Sequence, residues 1–112
     1  MNQTTTLVNI GTWSAKTLSD EKGFSLRVEG EFPTNGEKPL FELTKEYPQG
    51  PNETELILTL SFFHCIDPNG KEFGHASDKF PLEREDQYKT VMIIGSHEGE
   101  TIATNIEVII PK

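Results

Sequence analysis

Three histidines, one cysteine and a surplus of carboxylates are the side chains of this 112-residue chain with chemistry to offer. His64 and Cys65 are adjacent, an order that suggests a thiol activated by an imidazole. Neighbours on an extended strand point to opposite faces, however, so the pair is not expected to meet. Cys65 then reads as a small core hydrophobe. His64, Asp67, His75 and His97 are the residue types of a transition-metal site, although their spacing carries no signature such as His-x-x-x-His. If the strands simply alternate up and down, these four residues collect near one end of the fold.

Alternating connections also gather Asp20, Glu21, Glu53, Glu83, Glu85 and Asp86 at one pole. Calcium takes six to eight oxygen ligands, so such a pole is its natural place. Solvated acidic loops are the plainer account. The Asp67-Pro68-Asn69-Gly70 segment does not follow the calcium-loop pattern, because its glycine comes two positions too early. No Gly-x-Ser-x-Gly elbow, phosphate-cradling glycine loop or dinucleotide fingerprint is present in the sequence, so neither an enzyme nor a cofactor is expected.

A formal net charge of −8 argues against nucleic acid and anionic membranes as partners, since both call for a basic patch. No run approaches the roughly 18 apolar residues of a membrane span. A single cysteine rules out an intrachain disulfide. The first residues, Met1 to Thr6, have neither the basic nor the apolar part of a secretory signal. A cytoplasmic setting is the expectation, with a secreted protein whose signal has been removed as the alternative.

The elements that must position these groups are strands. Leu56 to Ile66 is rich in leucine, isoleucine and phenylalanine and lacks glycine and proline. Leu56, Leu58, Leu60, Phe62 and Ile66 share one face of an extended strand, and the other face is half apolar, so a central strand is expected. The Asp-Pro-Asn-Gly turn stops it. Phe24 to Phe32 alternates Phe24, Leu26, Val28 and Phe32 with Ser25, Arg27, Glu29 and Glu31, the pattern of a half-buried antiparallel strand. Gly30 occupies an inward slot, where a missing side chain admits a neighbour. Trp13 is expected in the core.

Pro33 to Pro39, with Asn35-Gly36 inside, ends that strand. Phe41, Leu43 and Tyr47 then share a face interrupted by Lys45. Lys71 to Leu82 reads as a hairpin return that breaks up into an edge segment. Val91 to Ile94 is apolar on both faces, and Ile102, Thr104, Ile106, Val108 and Ile110 line one face of a closing strand. No apolar stripe has helical spacing.

About seven short strands separated by turn chemistry predict a single all-β domain over residues 1–112. An antiparallel β-sandwich, immunoglobulin-like in general outline, is expected, with a small β-barrel as the alternative. The immunoglobulin Cys…Trp…Cys signature is absent. The functional expectation is a non-enzymatic binding or structural module that engages a protein partner or a second copy. Its working surface is either an edge strand near Phe73 to Phe80 or the loops at 33–39, 67–70 and 96–100, which contribute Asn35, Asp67, Asn69 and His97. The alternative is a metal- or small-ligand-binding protein using His64, Asp67, His75 and His97.

Overall fold

The computed structural model describes residues 9–47, 49–95 and 100–111. Among these residues are seven strands: β1 (Thr12–Asp20), β2 (Gly23–Thr34), β3 (Leu43–Lys45), β4 (Glu55–Leu60), β5 (Glu72–Leu82), β6 (Thr90–Gly95) and β7 (Thr101–Ile109). One 3-10 turn, Phe63–Cys65, follows β4. The all-β expectation holds, and among the described residues no helix is long and apolar enough to cross a membrane.

The strands form one sheet in the order β3-β4-β6-β7-β1-β2-β5. It is mixed: β1 runs parallel to β7, and β4 runs parallel to β6. Its two edges are drawn together where the Leu43 amide of β3 donates to the Asp78 carboxylate of β5 at 2.9 Å. The result is a nearly closed barrel, which fits the barrel alternative better than two stacked antiparallel layers.

On β2, β4 and β6, alternation explains which residues enter the interior. Leu26, Val28 and Phe32 on β2, Leu56, Leu58 and Leu60 on β4, and Val91 and Ile93 on β6 are buried, joined by Ile102, Ala103 and Ile106 on β7. Large side chains therefore fill the barrel, as small barrels require. The Trp13 ring stacks on Phe32 with centroids 5.6 Å apart, and Phe32 meets Phe41 edge-on at 4.8 Å. Trp13 is only partly exposed and its Nε1–H donates to the Ile10 carbonyl, so the indole is packed as expected.

Several local expectations are corrected. The run from Leu56 does not stay extended to Ile66: β4 ends at Leu60, and Phe62 adopts a left-handed conformation at φ 53°. Lys71 to Leu82 is not a disrupted return of β4; β5 is an unbroken eleven-residue strand paired along its length with β2. It is, however, the edge that the sequence suggested. Tyr47 lies outside the core at 75% exposure, with the Lys45 ammonium 5.8 Å from its ring centroid. Asn105 of β7 is also left-handed, and it lies where the β6–β7 register shifts, between the pairs Val91–Ile106 and Ile93–Ala103. Asparagine tolerates that conformation better than most residues.

Candidate binding site at the loop end

The end of the barrel where β2 and β4 finish is built from two segments, 33–39 and 61–70. Asn35 donates its amide to the Cys65 carbonyl at 2.9 Å, and Asp67 donates its amide to the Pro33 carbonyl at 3.1 Å. An isolated bridge pairs Thr34 with Ile66 between them. Two loops that look independent in the sequence therefore form one hydrogen-bonded unit.

Each loop also has its own scaffold. In the first, the Asn35 carboxamide oxygen accepts from the Glu37 amide at 3.0 Å, while its nitrogen reaches the Glu37 carboxylate at 3.4 Å. Gly36, at φ 103°, supplies the backbone conformation that an Asn-Gly turn demands. In the second, Asp67 accepts from the Asn69 amide through its carboxylate and from the Gly70 amide through its carbonyl. That is the turn the Asp-Pro-Asn-Gly sequence predicts. A β-carbon on Gly70 would collide with the Thr34 carbonyl, so this glycine permits close approach of the two loops.

The break after β4 decides where His64 and Cys65 point. Left-handed Phe62 redirects the chain into the 3-10 turn, with the Cys65 amide donating to the Phe62 carbonyl at 2.9 Å. Phe63 then packs on Gly95 at the end of β6, in space a side chain at 95 would occupy. Cys65 turns inward and is 1% exposed, whereas His64 stays exposed. Despite its apolar character, Phe62 is 43% exposed; its ring meets Phe41 edge-on at 6.3 Å and His64 at 6.1 Å. A non-glycine residue held left-handed costs on the order of 1–3 kcal/mol, a kind of strain that concentrates at functional positions.

Because the segment is a 3-10 turn and not a strand, the alternation that separated His64 from Cys65 does not apply. The ligand atoms of Glu37, His64 and Cys65 lie within 4.8 Å of one another, and no other group of three such side chains converges among the described residues. Burial pushes the Cys65 thiol above its ordinary value of 9.0, and the Glu37 carboxylate adds to the rise. The thiol is therefore protonated at neutral pH.

Neither Asp67 nor His75 joins this group. Asp67 is occupied with its own turn, and Asn69 is exposed on it. His75 lies on the outer face of β5, 4.0 Å from the Glu29 carboxylate, beside a cleft of about 300 Å³ that Thr12, Ser14 and Glu31 also line. His97 falls outside the described residues. Asp20, Glu21 and the 83–86 segment do share one pole, since Asp20 pairs with Gly23 and Phe24 with Leu82. There Asp20 accepts from the Lys22 amide, Arg84 pairs with Asp86, and the acids do not converge.

Sequence reasoning named Asn35 and His64 at this end but missed Glu37 and Cys65 as their companions. No residue type between Leu56 and Ile66 announces the break. It falls where the β4 ladder has its last pairs, Leu60 with Leu43 on β3 and with Gly95 on β6. A second cleft, of about 390 Å³ and lined by Asn9, Ile10, Gly11, Pro33 and Pro68, adjoins the same two loops. Comparison with known protein families, curated proteins and solved structures finds no match to this chain.

Proposed function

We propose that this protein is a non-enzymatic binding module whose working surface is the loop end formed by residues 33–39 and 61–70. The observation that carries the reading is the pair of backbone hydrogen bonds from Asn35 to Cys65 and from Asp67 to Pro33. They hold exposed Asn35, Glu37, Phe62, His64 and Asn69 on one frame. A polar set around one exposed aromatic ring, beside a proline-walled cleft, suits recognition of a small ligand or a partner's loop. Functional residues often sit this way, on loops fixed by a rigid scaffold. The filled barrel interior makes the surface, not a central cavity, the place for binding.

The β5 edge is the weaker surface. Its length and the 54% exposure of Phe73 favour strand pairing with a second copy. Against that, Asp78 engages the backbone of β3 across the seam, and a charge turned inward on an edge strand discourages pairing with another chain.

Backbone-amide NMR with a library of small organic fragments tests the proposal. Shifts clustered on residues 33–39 and 61–70, and abolished by Phe62→Ala, are expected. Hits confined to β5, or no hits, would reject the loop end as the working surface.

A further inference from the structure

We infer that Glu37, His64 and Cys65 form a binding site for a zinc-class divalent ion at the loop end. The inference rests on the loop-end reading above and gives it a ligand. Three side chains from two separate loops bring a carboxylate oxygen, an imidazole nitrogen and a sulfur within 4.8 Å of one another. These are the donors zinc takes, at about 2.0–2.2 Å for oxygen and nitrogen and about 2.3 Å for sulfur. A tetrahedral ion at such lengths needs its ligand atoms about 3.3–3.8 Å apart. The ligand atoms here lie within 4.8 Å of one another, at most about an ångström wider than that. Glu37 and His64 are both exposed and have freedom to close that distance by side-chain rotation, while buried Cys65 supplies the fixed point.

The donor set selects among metals. Calcium and magnesium prefer oxygen shells and are poorly served by a thiol and an imidazole. Thiolate with imidazole suits zinc and its spectroscopic substitute cobalt(II). On binding, the Cys65 S–H bond breaks, the sulfur's electron pair goes to the metal and the proton leaves to solvent. The cation also removes the repulsion that the Glu37 carboxylate exerts on a thiolate at Cys65.

The surroundings orient the ligands. The Asn35 carboxamide nitrogen stands 3.4 Å from Glu37 Oε1, leaving the other carboxylate oxygen for an ion. The Asn35 amide bond to the Cys65 carbonyl ties the two ligand loops together. With Glu37 and His64 exposed above buried Cys65, the fourth position is left to water, beside the exposed ring of Phe62.

Titration of the chelator-treated protein with zinc chloride, followed by calorimetry, is the first test, and one ion per chain is expected. With cobalt(II) chloride, a thiolate-to-metal charge-transfer band reports Cys65 directly without any substitution. His64→Ala and Glu37→Gln, both at exposed positions, should each weaken zinc about tenfold or more. Absence of stoichiometric binding, absence of the charge-transfer band, or unchanged affinity in His64→Ala would each overturn the site. If zinc fails while fragments still shift the amides of 33–39 and 61–70, the metal inference falls and the loop-end reading stands. If fragments also fail to shift those amides, both are lost.

Discussion

The Trp13 indole occupies the space into which a side chain at Gly30 would project. The two residues are cross-strand partners on β1 and β2, and a β-carbon at position 30 would collide with the six-membered ring. The indole can then stack on Phe32, two residues further along the same face. Phe32 passes the contact to Phe41, and Phe41 to Phe62 at the loop end. One glycine thus seats an aromatic series that runs from β1 to the candidate site.

Gly30→Ala is expected to destabilise the fold by about 1–3 kcal/mol through overpacking. Urea denaturation followed by fluorescence of Trp13, the single tryptophan, measures it. The native emission should shift as the indole is displaced; an unchanged midpoint and spectrum would contradict the packing described.

The seam between β3 and β5 yields a second prediction. Asp78→Ala removes the acceptor of the Leu43 amide and should cost about 1–2 kcal/mol. It also removes the inward charge that guards the β5 edge. Light scattering over a range of concentrations should show more self-association than in the unsubstituted protein. A variant that associates no more than the unsubstituted protein would mean that Asp78 does not guard this edge.

Gly70→Ala tests the coupling of the two loops. The added methyl meets the Thr34 carbonyl, so the 67–70 turn must move away from β2. Faster hydrogen exchange is expected at the Asn35 and Asp67 amides, whose bonds link the loops, while the Val28 amide in β2 keeps its protection. Exchange that rises uniformly across the protein would instead indicate general destabilisation.

The Cys65 thiol sets a pH dependence. Its folded-state value lies above the ordinary 9.0, through burial first and Glu37 second. Below about pH 9 the thiol is protonated in both folded and unfolded chains, and the stability associated with it is intact. Above that, the unfolded chain releases a proton that the folded chain retains, so stability falls as pH rises toward the folded value. Melting temperatures in chelator-containing buffer from pH 7 to 10.5 should decline at the alkaline end. Cys65→Ser should flatten that decline, and an equal decline in both proteins would assign it to other groups.

How much of this was legible in the sequence follows from how far each signal reaches. Two-residue alternation identified β2, the buried face of β4 and the all-β class, because period and face are local properties of an extended backbone. Turn chemistry at Asn35-Gly36 and Asp67-Pro68-Asn69-Gly70 marked where chains reverse, since those side chains bond to their own backbone. Which strands become neighbours was beyond that reach: β5 left β4 for β2, and parallel pairs appeared where alternation implied antiparallel ones. Pairing is chosen by burial across the whole barrel, and no window of sequence contains that choice. The same holds for the site. Sequence alone put a histidine and a cysteine side by side and an acid in a loop 27 positions earlier. Only the tertiary fold ended β4 at Leu60, turned Phe62 left-handed and carried Glu37 to them, because the hydrogen bonds that hold 33–39 against 61–70 join segments far apart in the chain.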